Sequence, residues 1–329
     1  MCLVWLINRY NDPNYGDIGI CKSMTDFLEH SGYKAKNFDF IGKRLKFQFT
    51  RVVYILCKIF SVRKQRPKCL LIGGGQLLLN NRNFPYALLG WYLVSKLTRV
   101  PIIAYSVGLE QTQKTDFFYR WVLTLFLSHA QQVLLRDTLS VTLVEQLTGL
   151  HFDTVPDAAY LSYSPDVEYE TAKKYAVVFV SGNSVAKHEI IHHYRRIDTV
   201  LRKNAIRSVT VSVSSEQDTK AAKGFFDYAQ QSGLNVHLEL AANFEQFVKQ
   251  ISGASIVVSS RMHPLIFAHI LGKPFIPIPT NNKTLSMSEF LFKIHRKACR
   301  LKPKPSCSTH LSNWLLNAAG ELEITVGHL

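Results

Sequence analysis

Between Ile41 and Leu109 the chain has no aspartate and no glutamate, although 24 acidic residues are spread over its 329 positions. The same interval holds twelve lysines and arginines, from Lys43 to Arg99, while the remainder carries 27 basic and 24 acidic residues. Most of the net charge of +15 is therefore local. A block of one sign implies a surface that faces something anionic. No recognisable nucleic-acid-binding module accompanies it, so nucleic acid is not the expected partner. Cysteine is sparse and unpatterned. Cys2, Cys21, Cys57, Cys69, Cys299 and Cys307 show no short C-x-x-C spacing, which argues against a zinc site or a secreted disulfide framework and for reduced thiols. No uncharged run reaches the ~18 residues that span a bilayer. The apolar start, Met1 to Ile7, lacks a charged n-region and reads as a first buried strand. A cytoplasmic protein is expected.

What the chain does have is ample apolar material, with 47% hydrophobic and 19% charged residues. Its length suits two domains of roughly 150 residues each. Short apolar runs alternate with helical patterns, the sign of parallel sheets built from strand–helix–strand units. Candidate strands in the first half are Leu3–Ile7, Lys34–Phe38, Cys69–Ile72, Ile102–Tyr105 and Gln132–Leu135. The scheme restarts with Ala176–Val180, Ser208–Val213, Val236–Leu240, Ser255–Val258 and Pro274–Ile278. Between the halves, Pro156 to Lys174 is rich in proline and charge. The expected division is 1–165, 166–290 and a basic C-terminal segment, 291–329.

The expected fold class is α/β, with two doubly wound Rossmann-like domains facing a cleft. In open sheets of this kind ligands bind at the carboxyl ends of the strands. Inside the acid-free block, Arg44 to Arg66 mixes bases with Phe47, Phe49, Tyr54, Ile59 and Phe60. Two readings stay open and compatible: a basic amphipathic helix that meets a membrane surface, or a crossover helix packing its apolar side on the sheet.

The sharpest cluster is Ser259-Ser260-Arg261-Met262-His263-Pro264, after a strand and before an apolar helix. Pro264 suits a first helical turn. Arg261 and His263 then lie at the positive end of that helix, where backbone N–H groups and a guanidinium receive a phosphate or carboxylate. His263 can exchange a proton near neutral pH. Gly73-Gly74-Gly75 follows the strand Cys69–Ile72 and permits a tight turn or a close backbone approach. Asn14-Tyr15-Gly16-Asp17 follows the first strand, and Asp17 reads either as a helix N-cap or as a ligand of a sugar hydroxyl. Arg136 after the strand Gln132–Leu135 is a candidate anion ligand, with Asp137 capping the next helix. Asp157 can cap a turn. His192-His193 has no carboxylate or cysteine at metal-ligand spacing.

Taken in order, these pieces resemble the polysaccharide pyruvyl transferase family, whose two-lobed fold is akin to that of the GT-B glycosyltransferases. The matching elements are Asn14-Tyr15-Gly16-Asp17, Gly73-Gly74-Gly75, Ser106-Val107-Gly108, Arg136-Asp137-Thr138-Leu139-Ser140 and Pro156-Asp157. Ser260-Arg261-Met262-His263 follows, then Phe267-Ala268 and Gly272-Lys273-Pro274. Two departures stand out: Pro264 occupies a position where a small or apolar residue is usual, and Ser106-Val107-Gly108-Leu109-Glu110 replaces a commoner Gly-Pro run. The resemblance implies transfer of pyruvate from phosphoenolpyruvate to a sugar of a surface polysaccharide or its lipid-linked precursor. It places Arg261 and His263 at the phosphoenolpyruvate site. Arg136 is the candidate that shares the donor's charge with Arg261, Asp17 the candidate base, and Ser260, Asn14, Gly16, Gly73, Gly74, Gly75 and Ser106 complete the candidate set. No metal or redox cofactor is needed by this chemistry. The alternative is a GT-B glycosyltransferase in which Arg261 grips the diphosphate of a nucleotide sugar. A lipid-linked acceptor also implies a peripheral location at an anionic membrane surface.

Overall fold

The computed structural model describes residues 2–41, 48–81, 83–110, 116–162, 175–182, 189–278 and 280. Lys43, Arg44 and Lys46, most of the 156–174 seam, and the basic segment 291–329 lie outside these residues, so expectations about them are left there.

Two parallel sheets form, each from one half of the chain. The first runs β2-β1-β3-β4-β5-β6, from β1 (Cys2–Asn8), β2 (Tyr33–Asp39), β3 (Cys69–Gln76), β4 (Ile102–Gly108), β5 (Gln132–Leu135) and β6 (Asp153–Thr154). The second runs β11-β10-β7-β8-β9, from β7 (Ala176–Phe179), β8 (Ser208–Ser212), β9 (Asn235–Leu238), β10 (Ile256–Ser259) and β11 (Phe275–Pro277). Nine helices among the described residues connect them: α1 (Tyr15–His30), α2 (Gln48–Gln65), α3 (Phe84–Thr98), α4 (Phe117–His129), α5 (Thr138–Thr148), α6 (Ile190–Lys203), α7 (Thr219–Gln231), α8 (Phe244–Gly253) and α9 (Met262–Ile270). The expected α/β, doubly wound architecture is what the chain adopts. Every strand anticipated from the apolar runs is present. The additional one, β6, is a two-residue exposed edge strand with no apolar content to announce it.

The central strands are apolar on both faces because both faces are covered. In the first sheet Trp5, Ile7, Leu70, Ile72, Ile102 and Ala104 share a core with α2, α3 and α4. Ile20 and Met24 of α1 pack on the opposite face, against the glycines of β3. This division follows from right-handed crossovers. The chain steps from β1 outward to β2, reverses to β3, and then continues through β4 to β6. The second sheet repeats the device: α6 and α7 cover one face, where Val178, Val209, Val211 and Phe225 pack, and α9 follows β10 back beside β7. Each sheet therefore reverses strand order once, at β1/β3 and at β7/β10. Those switch points leave a crevice at the strand carboxyl ends.

The chain divides into two units. One contains residues up to Asp12 and Asp17–Ser162; the other contains Pro13–Gly16 and the described residues from 175 onward. Pro13–Gly16 is tied into the second unit by backbone. The Tyr15 N–H donates to the Ser214 carbonyl at 2.8 Å, Asn14 bridges to Ser215, and the Tyr15 hydroxyl donates to the Ala241 carbonyl at 2.7 Å.

His193 on α6 is buried, and its Nε2 has no hydrogen-bond partner among the described residues. Burial first, then the nearby Arg196 and His192, lower its pKa from 6.5 to about 4. The folded protein thus holds this ring neutral while the unfolded chain protonates it. Stability contributed here is complete above pH 6.5 and declines as pH falls toward 4, by up to about 3 kcal/mol. We expect His193→Phe to flatten the pH dependence of unfolding across that window. Urea titrations at successive pH values check it, and an unchanged slope would count against the assignment.

Candidate functional site

In the first unit the candidate residues gather at the carboxyl ends of β1, β3, β4 and β5. The glycine triplet is not a turn after β3. The strand continues through it to Gln76, pairing Gly73 with Tyr105 and Gly75 with Val107. What approaches these glycines is α1: a Cβ on Gly73 would lie 2.1 Å from Met24 Cε, one on Gly74 2.0 Å from Ile20 Cγ2, and one on Gly75 3.1 Å from Asp17 Oδ1. Met24, Ile20 and Asp17 lie on one helical face, so the triplet lets α1 seat directly on β3. Gly74 and Gly75 also have φ of 70° and 80°, which side chains disfavour.

Asp17 is buried in the first turn of α1. It is not the N-cap. The helix begins at Tyr15, and Asn14 Oδ1 accepts the Gly16 N–H at 3.0 Å, which is the capping bond. Asp17 instead faces Arg9, 3.5 Å away, and Arg9 also pairs with Asp12.

Ser106 sits where β4 breaks register between Tyr105 and Val107. It is fully buried, has φ of 55°, and its hydroxyl has no partner among the described residues. A left-handed non-glycine residue with an orphan buried hydroxyl is costly on two counts, which is typical of binding sites. Arg136 lies beneath Gly108, where a Cβ would come within 2.7 Å of its Nη2. Its side chain is only 1% exposed, with Nε 3.1 Å from Asp137 and Nη1 3.7 Å from Asp157. Its charge is thus met inside the unit. Asp137 does cap α5, accepting the Ser140 N–H at 2.8 Å. Burial opposes its ionisation, but Arg136 and the Ser140 hydrogen bonds outweigh that and hold its pKa below the usual carboxylate range. Asp157 Oδ1 accepts the Ala159 N–H at 3.0 Å, capping a turn.

In the second unit the cluster forms at the β7/β10 switch. Arg261 is the residue immediately before α9, in an extended conformation, and Met262, His263 and Pro264 make the first turn. The backbone leading there is tightly held. Ser259 Oγ accepts the Arg261 N–H and donates to the Arg261 carbonyl, both at 2.9 Å. Ser260 Oγ accepts the Ser181 N–H at 2.7 Å and donates to the Phe179 carbonyl, so this hydroxyl ties β10 to β7.

The Arg261 guanidinium is gripped from one side. Nε donates to Asp218 Oδ2 at 2.9 Å and Nη2 to Asp218 Oδ1 at 2.6 Å. Asp218 is entirely buried and Arg261 is 26% exposed, and Asp218 Oδ1 also accepts the Gly182 N–H at 3.0 Å. A bidentate pair fixes both the plane and the direction of the fork, leaving Nη1 outside the pair. His263 packs against Gly16, the glycine of the Asn14–Asp17 motif: a Cβ there would fall 2.0 Å from His263 Nδ1 and 2.2 Å from Cγ. Asn14, Gly16, Ser260, Arg261 and His263 are therefore brought together within one unit, whereas Asp17, Gly73, Gly74, Gly75, Ser106 and Arg136 belong to the other.

Asp218 was not singled out from the sequence. Its only local sign is Ser215-Glu216-Gln217-Asp218 before a helix, a turn signature that says nothing of a partner 43 positions ahead. Among the described residues no three His, Cys, Asp or Glu side chains converge as a metal site would require.

Residues 14–282 match the sequence profile of the family described as polysaccharide pyruvyl transferase. No curated protein matches the chain in sequence. Among solved structures, Anabaena HepE in complex with UDP and glucose aligns over 100% of both chains with TM-score 0.57 and 10% identity. UDP-GlcNAc 2-epimerase from Methanocaldococcus jannaschii aligns over 88% of this chain and 92% of its own, with TM-score 0.55 and 11% identity. S. aureus MnaA with UDP aligns over 88% and 87%, with TM-score 0.53 and 10% identity. At such identities the likeness is one of fold, and it is the GT-B-like class.

Removing one partner of the Arg261 pair leaves a buried acceptor or a cation without its match. We expect Asp218→Asn to cost about 2 kcal/mol, read as a lower urea midpoint at unchanged slope. A midpoint equal to that of the parent protein would mean the pair is not formed in solution.

Proposed function

The chain belongs to the polysaccharide pyruvyl transferase family, and we propose that it moves pyruvate from phosphoenolpyruvate onto a sugar of a surface polysaccharide or its lipid-linked precursor. The observation that carries this reading is the Arg261 fork, held by Asp218 on the residue just before α9, with His263 two residues on. Phosphoenolpyruvate presents a carboxylate and a phosphate together. A helix N-terminus and a guanidinium suit that pair of anions.

In the proposed reaction His263 gives a proton to the methylene carbon of the donor, which makes the neighbouring carbon electrophilic. One sugar hydroxyl attacks that carbon, phosphate departs, and a second hydroxyl closes the ketal. The two hydroxyl protons balance the step: one restores His263 and one leaves with phosphate. Gly16 supports the acid by leaving room for its ring. We assign the first-unit candidates Asp17, Ser106 and Arg136 to the acceptor side. Asp17 would take a hydroxyl proton, and the buried Ser106 and Arg136 would position the ends of β4 and β5, Arg136 through Asp137 and Asp157.

A second reading rests on the fold neighbours that were solved with UDP. There Arg261 would grip the diphosphate of a nucleotide sugar, and the chemistry would be glycosyl transfer. Thermal shift separates the two: phosphoenolpyruvate should raise the melting temperature where nucleoside diphosphates do not, and the reverse result selects the glycosyltransferase.

General acid catalysis contributes about 10²–10⁴-fold. His263→Ala should lose that much kcat for phosphate release, and Arg261→Ala should act chiefly by raising KM for phosphoenolpyruvate. Near-parental turnover in both variants would remove the site from the reaction. Gly16→Ala should lower kcat by displacing the His263 ring, and in the His263→Ala background the same substitution should leave the urea midpoint closely similar. A loss confined to stability would instead make Gly16 a packing residue only.

A further inference from the structure

Nine large apolar side chains are exposed among the described residues, and seven of them lie on α2, α3 and α4. These three helices are consecutive crossovers on the same face of the first sheet, where they share one core. They also touch in series. Ile55 of α2 packs at Gly90 of α3, Arg63 of α2 donates to the Leu97 carbonyl of α3, and Ser95 of α3 meets His129 of α4 at 2.9 Å. Their outward sides therefore form one broad surface.

On α2 that side carries Leu56 and Phe60, the latter 72% exposed, at helical spacing. On α3 it carries Tyr86 and Leu97, and on α4 Trp121 and Phe117, which is 85% exposed. Tyr86 and Trp121 are joined through Phe118, whose ring centroid lies 5.4 Å from the first and 6.3 Å from the second. Arg63, Lys64, Lys96 and Arg120 are exposed between them, and none of the three helices contains an aspartate or glutamate. Buried inward sides account for the amphipathic pattern of the crossover helices. They do not account for a second apolar side that faces water.

We propose that the outer face of α2, α3 and α4 is a docking surface for an anionic lipid bilayer. Exposed Trp and Phe beside Arg and Lys on helices lying side by side are what an interfacial contact requires: rings enter the headgroup boundary and bases meet anionic lipid. No described helix is long and apolar enough to cross a membrane, so the contact is peripheral. Charge favours this occupant over others. A second copy would bring one acid-free basic face against another. Residues 281–304 carry seven lysines and arginines against one glutamate and would be repelled, whereas 305–329 carry two glutamates and no lysine or arginine, so flotation that appears only in a variant ending at 304 would make that segment the occupant and overturn the proposal. The proposal rests on this surface alone and holds whichever reaction the protein catalyses.

Flotation of the full-length protein with vesicles of mixed phosphatidylglycerol and phosphatidylcholine tests it. The parent protein should co-float with these and not with pure phosphatidylcholine, and should be released as salt rises from about 50 mM to 500 mM. Phe117→Ser/Trp121→Ser should weaken partitioning about tenfold or more, and Arg63→Glu/Lys64→Glu should abolish the preference for anionic vesicles. Phe117→Ser/Trp121→Ser should keep the parental melting temperature, and vesicles should shift the emission of the parent to the blue but not that of this variant, a difference that separates Trp121 from Trp314, while Trp5 and Trp91 are buried. Failure of the parent protein to float, or equal flotation of parent and variants, overturns the proposal. So does a dimer in sedimentation equilibrium that Phe117→Ser/Trp121→Ser dissolves, which would make this face a self-association surface.

Discussion

A carboxylate with no exposed surface, Asp218, decides which way Arg261 points. Arginine is a long side chain with many rotamers, and at the mouth of a helix it would otherwise sweep a wide arc. Two parallel hydrogen bonds remove that freedom before any ligand arrives. A ligand therefore does not meet the entropic cost of ordering the fork. The same carboxylate also accepts a backbone N–H from Gly182, just past β7, so the arginine's aim is tied to the strand beside it. Ser259 and Ser260 complete the arrangement by binding the backbone on which Arg261 is mounted.

The two units use different means to the same end. In the second, hydroxyls and a buried acid hold the approach to α9. In the first, the absence of side chains does the work: three glycines let α1 settle on β3 closely enough to press Asp17 against Gly75. Both devices act at the strand where chain order reverses, because only there do neighbouring connections leave in opposite directions. Ser106 is the exception within this economy. It is held left-handed in a strand with its hydroxyl unmatched, a local cost of about 1–3 kcal/mol that the surrounding strands must offset.

Much of this was legible in the sequence because buried parallel strands write themselves as continuous apolar runs. Val4–Ile7, Leu70–Ile72 and Val177–Phe179 are unmistakable on that ground. Helix starts were less so. Asp17 reads as a cap until the Asn14 side chain is seen to hold the Gly16 N–H, since both residue types cap helices and only geometry chooses. The triplet Gly73-Gly74-Gly75 suits a turn or a close backbone approach on paper, and the structure takes the second, with strand pairing continuing through it and α1 seated against it. Arg136 and Arg261 look alike on paper, each an arginine just after a strand. Folding separates them by burial and partners: one is closed between two acids, the other is pinned on one edge with a quarter of its surface open. Asp218 was invisible because ion pairs between distant positions leave no periodic trace.

The four residues Pro13–Gly16 have a consequence for how the polypeptide can be divided. By sequence they lie twelve positions from the amino terminus, yet they supply a backbone bridge to Ser215, a tyrosine anchored on Ala241, and the bare Cα beside which His263 rests. A polypeptide starting anywhere after position 162 would fold its second sheet without these contacts, leaving the Ser214 carbonyl and the imidazole facing solvent. Separate expression of the two halves thus cannot recover the second one intact. Covalent order and structural membership disagree here.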